Sequence, residues 1–384
     1  MVKLGTFPIR ALTVARALVM RVVARVIAPS SVSMRRILIA HNLLLGDTIL
    51  LAPLLKKLAT IHPDAERVVL ARPEVAPLFS KRPYDITVMP YNRRDPESAA
   101  RVLHSGPYDL AIVPDDNRYA WLARAAGAGR VIGFAHDRPA WKNWMLDTAI
   151  AYPDAPAAWA DMAASLIPGP APEPFHPGEW PAPEACAFEL PERPYAVLHV
   201  GASTPLKLWP ADRWRALADQ LSRDGCTIVW SGGAGEAKVL DAIGKRHNEV
   251  DLIGRLDLPQ LWRLLADAAL LVCPDTGVAH LSRIVGVPTI ALFGPGSAII
   301  HGAGAFWADA PYKAVTIADF PCRDQRVLYR REIDWVRRCG RGFEAGAEPG
   351  GLKCGDARCM KAIGLDTVME RVRETMCSIE IQRL

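Results

Sequence analysis

The sequence predicts an α/β protein of two domains, each built on a parallel sheet with covered faces. Three observations predict it. Short apolar runs of strand length alternate with segments of helical period, the pattern that parallel sheets require. The alternation comes in two blocks, separated by a stretch crowded with Pro168, Pro170, Pro172, Pro174, Pro177, Pro181 and Pro183. The length of 384 residues is more than one core usually serves.

The bulk composition narrows the function classes. A 50% hydrophobic, 23% charged chain is globular. Its formal charge of +5 does not call for nucleic acid and leaves only a mild attraction to anionic membranes or substrates. No continuous apolar run of ~20 residues marks a transmembrane helix. Eight scattered cysteines and no convincing secretory signal point to a reducing cytoplasm without a disulfide framework. No internal repeat is evident.

Residues 1–33 form a basic amphipathic extension. Val14, Leu18, Val19, Val22, Val23, Val26 and Ile27 interleave with Arg10, Arg16, Arg21 and Arg25, and no acidic residue precedes Asp47. On a helical wheel Arg10, Arg21 and Arg25 gather on one side and Leu12, Val19, Val23 and Val26 on the other; Arg16 is off the pattern. Such a helix suits an anionic membrane surface. A helix packed on its own domain, a frayed extension and a signal peptide are the alternatives, although arginines interrupt every apolar core a signal would need.

The first domain spans 34–160. A strand at 36–41 leads through a loop at 42–47 into a helix at 48–61, with Leu51, Leu54, Leu55 and Leu58 inward. Strands follow at 67–71, 86–89, 109–113 and 130–134, with helices near 97–104 and 117–126. Ligands of such sheets sit beyond the carboxyl ends of the strands. The loop Leu45-Gly46-Asp47 is therefore placed to meet one. Gly46 lets the backbone turn tightly or approach a ligand, and Asp47 either serves that ligand or caps the next helix.

Residues 161–193 read as the linker, with a helix near 157–166. The second domain, 194–364, opens with a strand at 195–200 and the turn Gly201-Ala202-Ser203-Thr204-Pro205. Small residues let a phosphate near the backbone, hydroxyls donate to it, and Lys207 adds a point charge. A helix at 211–222 and a strand at 227–231 lead to Gly232-Gly233-Ala234-Gly235-Glu236. That turn lacks the Lys-Ser/Thr of a P-loop and does not match G-x-G-x-x-G. A short strand at 252–254 and a helix at 258–266 precede a strand at 269–273.

Pro274-Asp275-Thr276-Gly277 then breaks the strand. A helix bearing His280 follows, stopped by Gly286 and Pro288, and a strand at 289–293 closes the unit. Free N–H groups at that turn, with the helix dipole, make an anion site. Asp275 and Thr276 alone read equally as a cap, and His280 as a packed histidine. Cys322, Cys339, Cys354 and Cys359 lie in a basic segment. They could hold zinc or iron, but no C-x-x-C pair is present. A terminal helix occupies 365–384.

These strings together resemble glycosyltransferase family 9, the ADP-heptose:lipopolysaccharide heptosyltransferases. Asp275-Thr276-Gly277 with His280-Leu281 and Phe293-Gly294-Pro295 matches the D-T-G-x-x-H-L helix and F-G-P strand of that family. Leu45-Gly46-Asp47 with Pro53-Leu54-Leu55, Lys207-Leu208-Trp209-Pro210, and Cys359-Met360-Lys361-Ala362-Ile363 match its other hallmarks. The resemblance covers most of residues 35–384.

It implies a GT-B fold, two Rossmann-like domains with parallel sheets facing across a cleft. The first domain would be the acceptor side and the second the donor nucleotide-sugar side, with the terminal helix crossing back to the first. It implies an inverting transfer of heptose from ADP-heptose, or a related nucleotide sugar, to a lipopolysaccharide core acceptor. Asp47 would be the general base. Lys207, a hydroxyl of Ser203 or Thr204, and the N–H groups of Thr276 and Gly277 would stabilise the leaving diphosphate. His280 would meet phosphate or sugar, Asp275 would fix the turn or hold sugar hydroxyls, and Glu236 would meet the ribose unless it only compensates a helix dipole. No metal and no cofactor are called for. The location implied is cytoplasmic, with residues 1–33 able to rest on the inner membrane. The alternatives are a GT-B transferase using another nucleotide sugar or a protein acceptor, and a non-catalytic nucleotide-sugar-binding scaffold.

Overall fold

The computed structural model describes residues 6–26, 34–347, 351 and 353–382. Residues 1–5 and 27–33 of the basic extension, Ile27 among them, lie outside the described residues. The chain divides into two compact units. The first comprises Met1–Glu173, Glu179–Pro183 and Val327–Trp335; the second comprises Pro174–Gly178, Glu184–Arg326 and Val336–Leu384.

In the first unit α1 (Thr6–Val26) precedes β1 (Arg36–Ile39), α2 (Leu45–Ile49), α3 (Ala52–Ile61), β2 (Glu66–Ala71), β3 (Ile86–Pro90) and α4 (Pro96–His104). Then come β4 (Tyr108–Val113), α5 (Arg118–Ala125), β5 (Ala128–Phe134), β6 (Thr148–Ile150) and α6 (Trp159–Ala164). The six strands are parallel, in the order β3-β2-β1-β4-β5-β6. Ile37, Leu38 and Ile39 are fully buried because helices cover both faces of the sheet. The single helix expected at 48–61 is two. Pro53 has no N–H to give and is accommodated in a first helical turn, so the chain restarts there as α3.

In the second unit the elements are β7 (Tyr195–His199), α7 (Ala211–Arg223), β8 (Thr227–Ser231), α8 (Ala237–Ile243), β9 (Val250–Asp251) and α9 (Leu258–Ala266). They continue as β10 (Leu270–Pro274), α10 (Gly277–Val285), β11 (Thr289–Phe293) and β12 (Tyr312–Thr316). The strand order is β12-β11-β10-β7-β8-β9. Both sheets therefore run 3-2-1-4-5-6 in their own chain order. Each has a switch point, between β1 and β4 in one and between β7 and β10 in the other, where loops diverge and leave room for a ligand.

Edge strands β6 and β12 carry no clear apolar run, and their expected signal is absent from the sequence. The strand read at 252–254 is shifted to β9, because the Asp251 side chain accepts from Ile253 N at 3.0 Å and turns the chain there.

The C-terminal part splits between the units. A hairpin of β13 (Val327–Leu328) and β14 (Arg331–Glu332) belongs to the first unit, although it lies inside the span 194–364. The helices α11 (Arg358–Lys361) and α12 (Leu365–Gln382) belong to the second. The terminal helix α12 lies in the second unit. Val368, Met369 and Val372 are buried in the second unit's core, and α12 packs on α7, β11 and β12.

Two of the matched strings meet there. A Cβ on Gly294 would stand 2.4 Å from Met360 Sδ, so only glycine lets Met360 reach its buried place. Trp209 Nε1 donates to Ile363 O at 2.9 Å, tying the K-x-W-P turn to the same segment.

Candidate functional site

In the first unit Asp47 sits at the carboxyl end of β1, inside the first turn of α2. It is not the capping residue: the cap position is Leu44, with no side-chain cap bond. Gly46 is buried directly before it. Across the switch point β4 runs into Asp115 and Asp116. Asp115 is buried and its carboxyl is pushed up to about 7; burial is the largest cause, and the charges of Asp116 and Asp47 add to it. Asp116 goes the other way. Burial would raise it, but Arg118 and Lys142 override that, the Lys142 ammonium lying 2.8 Å away.

The hairpin brings Tyr329 to this place. Its phenol lies beside the Asp47 carboxylate, close enough for the two to interact electrostatically. Burial first, then the neighbouring Asp47 carboxylate, raise the phenol well above its ordinary range, so it keeps its proton. The ring rests on Trp159 of α6, centroids 4.5 Å apart. Arg331 anchors the hairpin. Its buried guanidinium donates to Asp115 O at 2.6 Å, Ala135 O at 2.9 Å and Phe134 O at 3.1 Å.

The two residues between β13 and β14 are Tyr329 and Arg330, at φ 44° and 67°. A two-residue hairpin turn of this hand normally takes Asn-Gly. Left-handed tyrosine and arginine are strained, and strain of this kind persists where the surroundings hold it in place. Arg331 and the Trp159 contact are those surroundings.

In the second unit the loops after β7, β8 and β10 converge. Lys207 Nζ donates to Asp275 Oδ2 at 2.8 Å and to Asp275 O at 2.7 Å, which joins the two sides of the β7/β10 switch point. Two of the three donors of the ammonium are used in these bonds. Burial alone would raise the Asp275 carboxyl. Lys207 foremost, with His301 and Arg283, holds it below the usual carboxylate range. Gly296 makes room for it: a Cβ there would stand 2.2 Å from Asp275 Oδ2.

Thr276 occupies the cap position of α10 but makes no side-chain cap bond. Its Oγ1 and His280 Nδ1 are buried with no hydrogen-bond partner among the described residues. Buried polar atoms usually have partners, so these two mark a place for a polar ligand. Burial, then the charges of Arg283, His301 and Lys207, hold the His280 imidazole neutral. Thr204 caps the short turn that carries Lys207, while Ser203 is exposed beside it. Glu236 folds back toward this loop: a Cβ on Gly233 would stand 2.8 Å from its Oε2, and one on Gly201 would stand 3.2 Å from its Cδ.

Cys322, Cys339, Cys354 and Cys359 line one cavity with Pro295 and Arg341. Burial foremost pushes the Cys359 thiol up to about 11. Among the described residues no group of three or more His, Cys, Asp or Glu is arranged to hold a metal ion.

Sequence reasoning missed Asp115, Tyr329 and Arg331. Asp115 follows its strand as Asp47 follows β1, so the carboxyl-end rule applied to 109–113 would have found it. Nothing local marks Tyr329 or Arg331.

Comparisons with known proteins agree with this architecture. Residues 97–313, more than half of the chain, match the family model for glycosyltransferase family 9 (heptosyltransferase). Lipopolysaccharide heptosyltransferase 1 of Pseudomonas aeruginosa is 29% identical over 242 residues, covering 58% of this chain and 66% of that protein. Lipopolysaccharide heptosyltransferase 1 of Salmonella typhimurium is 33% identical over 104 residues, 27% of this chain and 32% of its own length. The chain thus spans less than two thirds of the length of both curated relatives. The solved E. coli ADP-heptose lps heptosyltransferase II superposes with a TM-score of 0.66 at 20% identity, over 90% of this chain and 100% of that one. The fold is GT-B, and the chain belongs to glycosyltransferase family 9 (heptosyltransferase).

Proposed function

We propose that this protein is an inverting glycosyltransferase that moves a heptose from ADP-heptose to a hydroxyl of a lipopolysaccharide inner-core sugar, in the cytoplasm. The observation that carries the reading is the Lys207–Asp275 pair at a switch point, beside the unpartnered Thr276 Oγ1 and His280 Nδ1. The names of its family relatives support heptose and lipopolysaccharide as the substrate classes.

In this reading the second unit holds the donor. Lys207, the backbone N–H groups of Thr276 and Gly277, the Thr276 hydroxyl and a hydroxyl of Ser203 or Thr204 take the diphosphate oxygens. Their charge complementarity grows as the diphosphate leaves, which is where it lowers the barrier. Neutral His280 offers Nδ1 to phosphate or sugar. Asp275 does not touch phosphate, since two anions would repel; it holds the Lys207 ammonium in place. Glu236 accepts from the ribose hydroxyls.

The first unit supplies the base. Asp47 takes the proton of the acceptor hydroxyl as its oxygen bonds to the anomeric carbon. The bond from that carbon to the diphosphate oxygen breaks on the opposite side, and the configuration inverts. Tyr329, protonated beside that carboxylate, donates to it and helps to orient it toward the acceptor.

Incubation with ADP-heptose and lipopolysaccharide inner-core acceptors tests this, following ADP release and the anomeric configuration of the product. Transfer with inversion is expected. Turnover only with another nucleotide sugar would change the donor, and ADP binding without any turnover would leave a binding module.

A further inference from the structure

We infer that α1 docks the first unit on an anionic lipid bilayer, lying in the membrane surface with its outward face among the acyl chains. This does not depend on the transfer reaction proposed above.

The helix is oriented against the usual rule. A helix seated on a soluble domain turns its apolar stripe inward and its polar face to water. Here the inward positions are Ile9, Thr13, Ala17, Met20 and Ala24, spaced three or four apart, and only Ala17 is fully buried. They rest on α5 and α4. The large apolar residues point away. Phe7 is 81% exposed, Val22 62% and Val26 78%, with Leu12, Leu18 and Val19 on the same side. Eight of the fourteen exposed large apolar side chains among the described residues lie on this one helix. So concentrated an apolar surface marks a contact site.

Charge decides the occupant. Arg10 and Arg25 are exposed toward the two ends of the helix, and no acidic residue occurs before Asp47. A second copy of the same face would set arginine against arginine. An anionic lipid surface offers apolar chains to the outward face and phosphates to its rim. The helix does not cross: no helix among the described residues is long and apolar enough to span a membrane.

A second feature lies on the same side of the unit. Trp141 and α1 together wall a cavity of about 640 Å³, whose lining also carries Arg10, Arg93, Arg94 and Arg118. Trp144 is 59% exposed, beside Trp121. Tryptophan is enriched at the headgroup level of bilayers, and an arginine-lined cavity at that depth suits a lipid phosphate.

The test is flotation of the full chain with phosphatidylcholine vesicles and with vesicles mixed with phosphatidylglycerol, at low and high salt. The wild type is expected to float with the anionic vesicles at least about tenfold better than with neutral ones. The pair Val19→Asp/Val22→Asp should lose that binding, and Arg10→Gln/Arg25→Gln should lose the anionic preference, both with unchanged thermal unfolding and ADP binding. Absence of wild-type binding at low salt, or equal binding by Val19→Asp/Val22→Asp, overturns the inference. So does a dimer in light scattering that the Val19/Val22 pair disrupts while no vesicle is bound.

Discussion

The buried phenol of Tyr329 lies beside the carboxylate of Asp47. The two residues come from opposite ends of the chain, and the Tyr329 hairpin is pinned to the first unit by the buried Arg331. A protonated phenol kept beside that carboxylate limits the directions it can face. Tyr329→Phe is therefore expected to lower kcat by about 10- to 100-fold, the worth of a polar interaction with a charged group. KM for donor and acceptor and the affinity for ADP should stay put. A raised acceptor KM at unchanged kcat would instead assign Tyr329 to acceptor binding.

Asp47→Asn should bind ADP as the wild type does, since Lys207 and Asp275 lie in the other unit. Turnover should drop by about 10²- to 10⁴-fold, the usual loss for a general base. Calorimetric titration with ADP and a steady-state assay together check this. Near-normal turnover would remove Asp47 from the role.

Lys207→Met removes both a phosphate donor and the partner of a buried carboxylate. ADP affinity should fall, and stability should drop by about 3–5 kcal/mol because Asp275 is left buried and unpaired. Adding Asp275→Asn should restore most of the stability and none of the ADP affinity. Urea unfolding of the two variants separates the effects, and a double variant as unstable as the single one would show that the pair is not the cause.

Acid should destabilise the protein from pH 6.5 downward, well before its paired carboxylates titrate. Burial lowers His41 to about 3, His199 to about 4 and His280 well below its ordinary value. Each stays neutral in the folded state while the unfolded chain takes up a proton below pH 6.5, so stability falls as pH falls. Asp115, raised to about 7 by burial, acts oppositely: folded, it keeps a proton that the unfolded chain has released above about pH 4. His62 is also lowered by burial, so the histidines outnumber Asp115 and the unfolded chain binds about two or more extra protons between about pH 4 and 6.5, at about 1.4 kcal/mol per proton and pH unit. Urea melts at pH 7 and 5.5 measure the slope, and Asp115→Asn should steepen it.

Gly294→Ala should destabilise by about 1–3 kcal/mol, because the new methyl would displace Met360 from its buried place. Gly294→Ala with Met360→Ala should recover part of that loss. No recovery would place the cost elsewhere.

The parallel sheets, most of their strands and the loops at their carboxyl ends were legible because buried strands and turn residues leave local signals. Asp47, Lys207 and the Asp275 turn could be read for the same reason: each lies in the loop or turn that follows a clear apolar run. The edge strands β6 and β12 were not legible, since one exposed side blurs their pattern. The Tyr329 turn left no mark either. Its left-handed backbone is carried by tyrosine and arginine, where a reader would look for asparagine and glycine.

What the sequence determined by itself was the class of fold, the order of its elements, the arginine and valine content of α1 and the candidate groups on each unit. All of these follow from spacing along the chain. Tertiary structure alone decided that α1 turns its valines outward, that Met360 lies on Gly294, that Lys207 is bonded to Asp275 and that Tyr329 reaches Asp47. Those relations join residues far apart in sequence, and they are set by how sheets, helices and the hairpin pack, which local propensity does not encode.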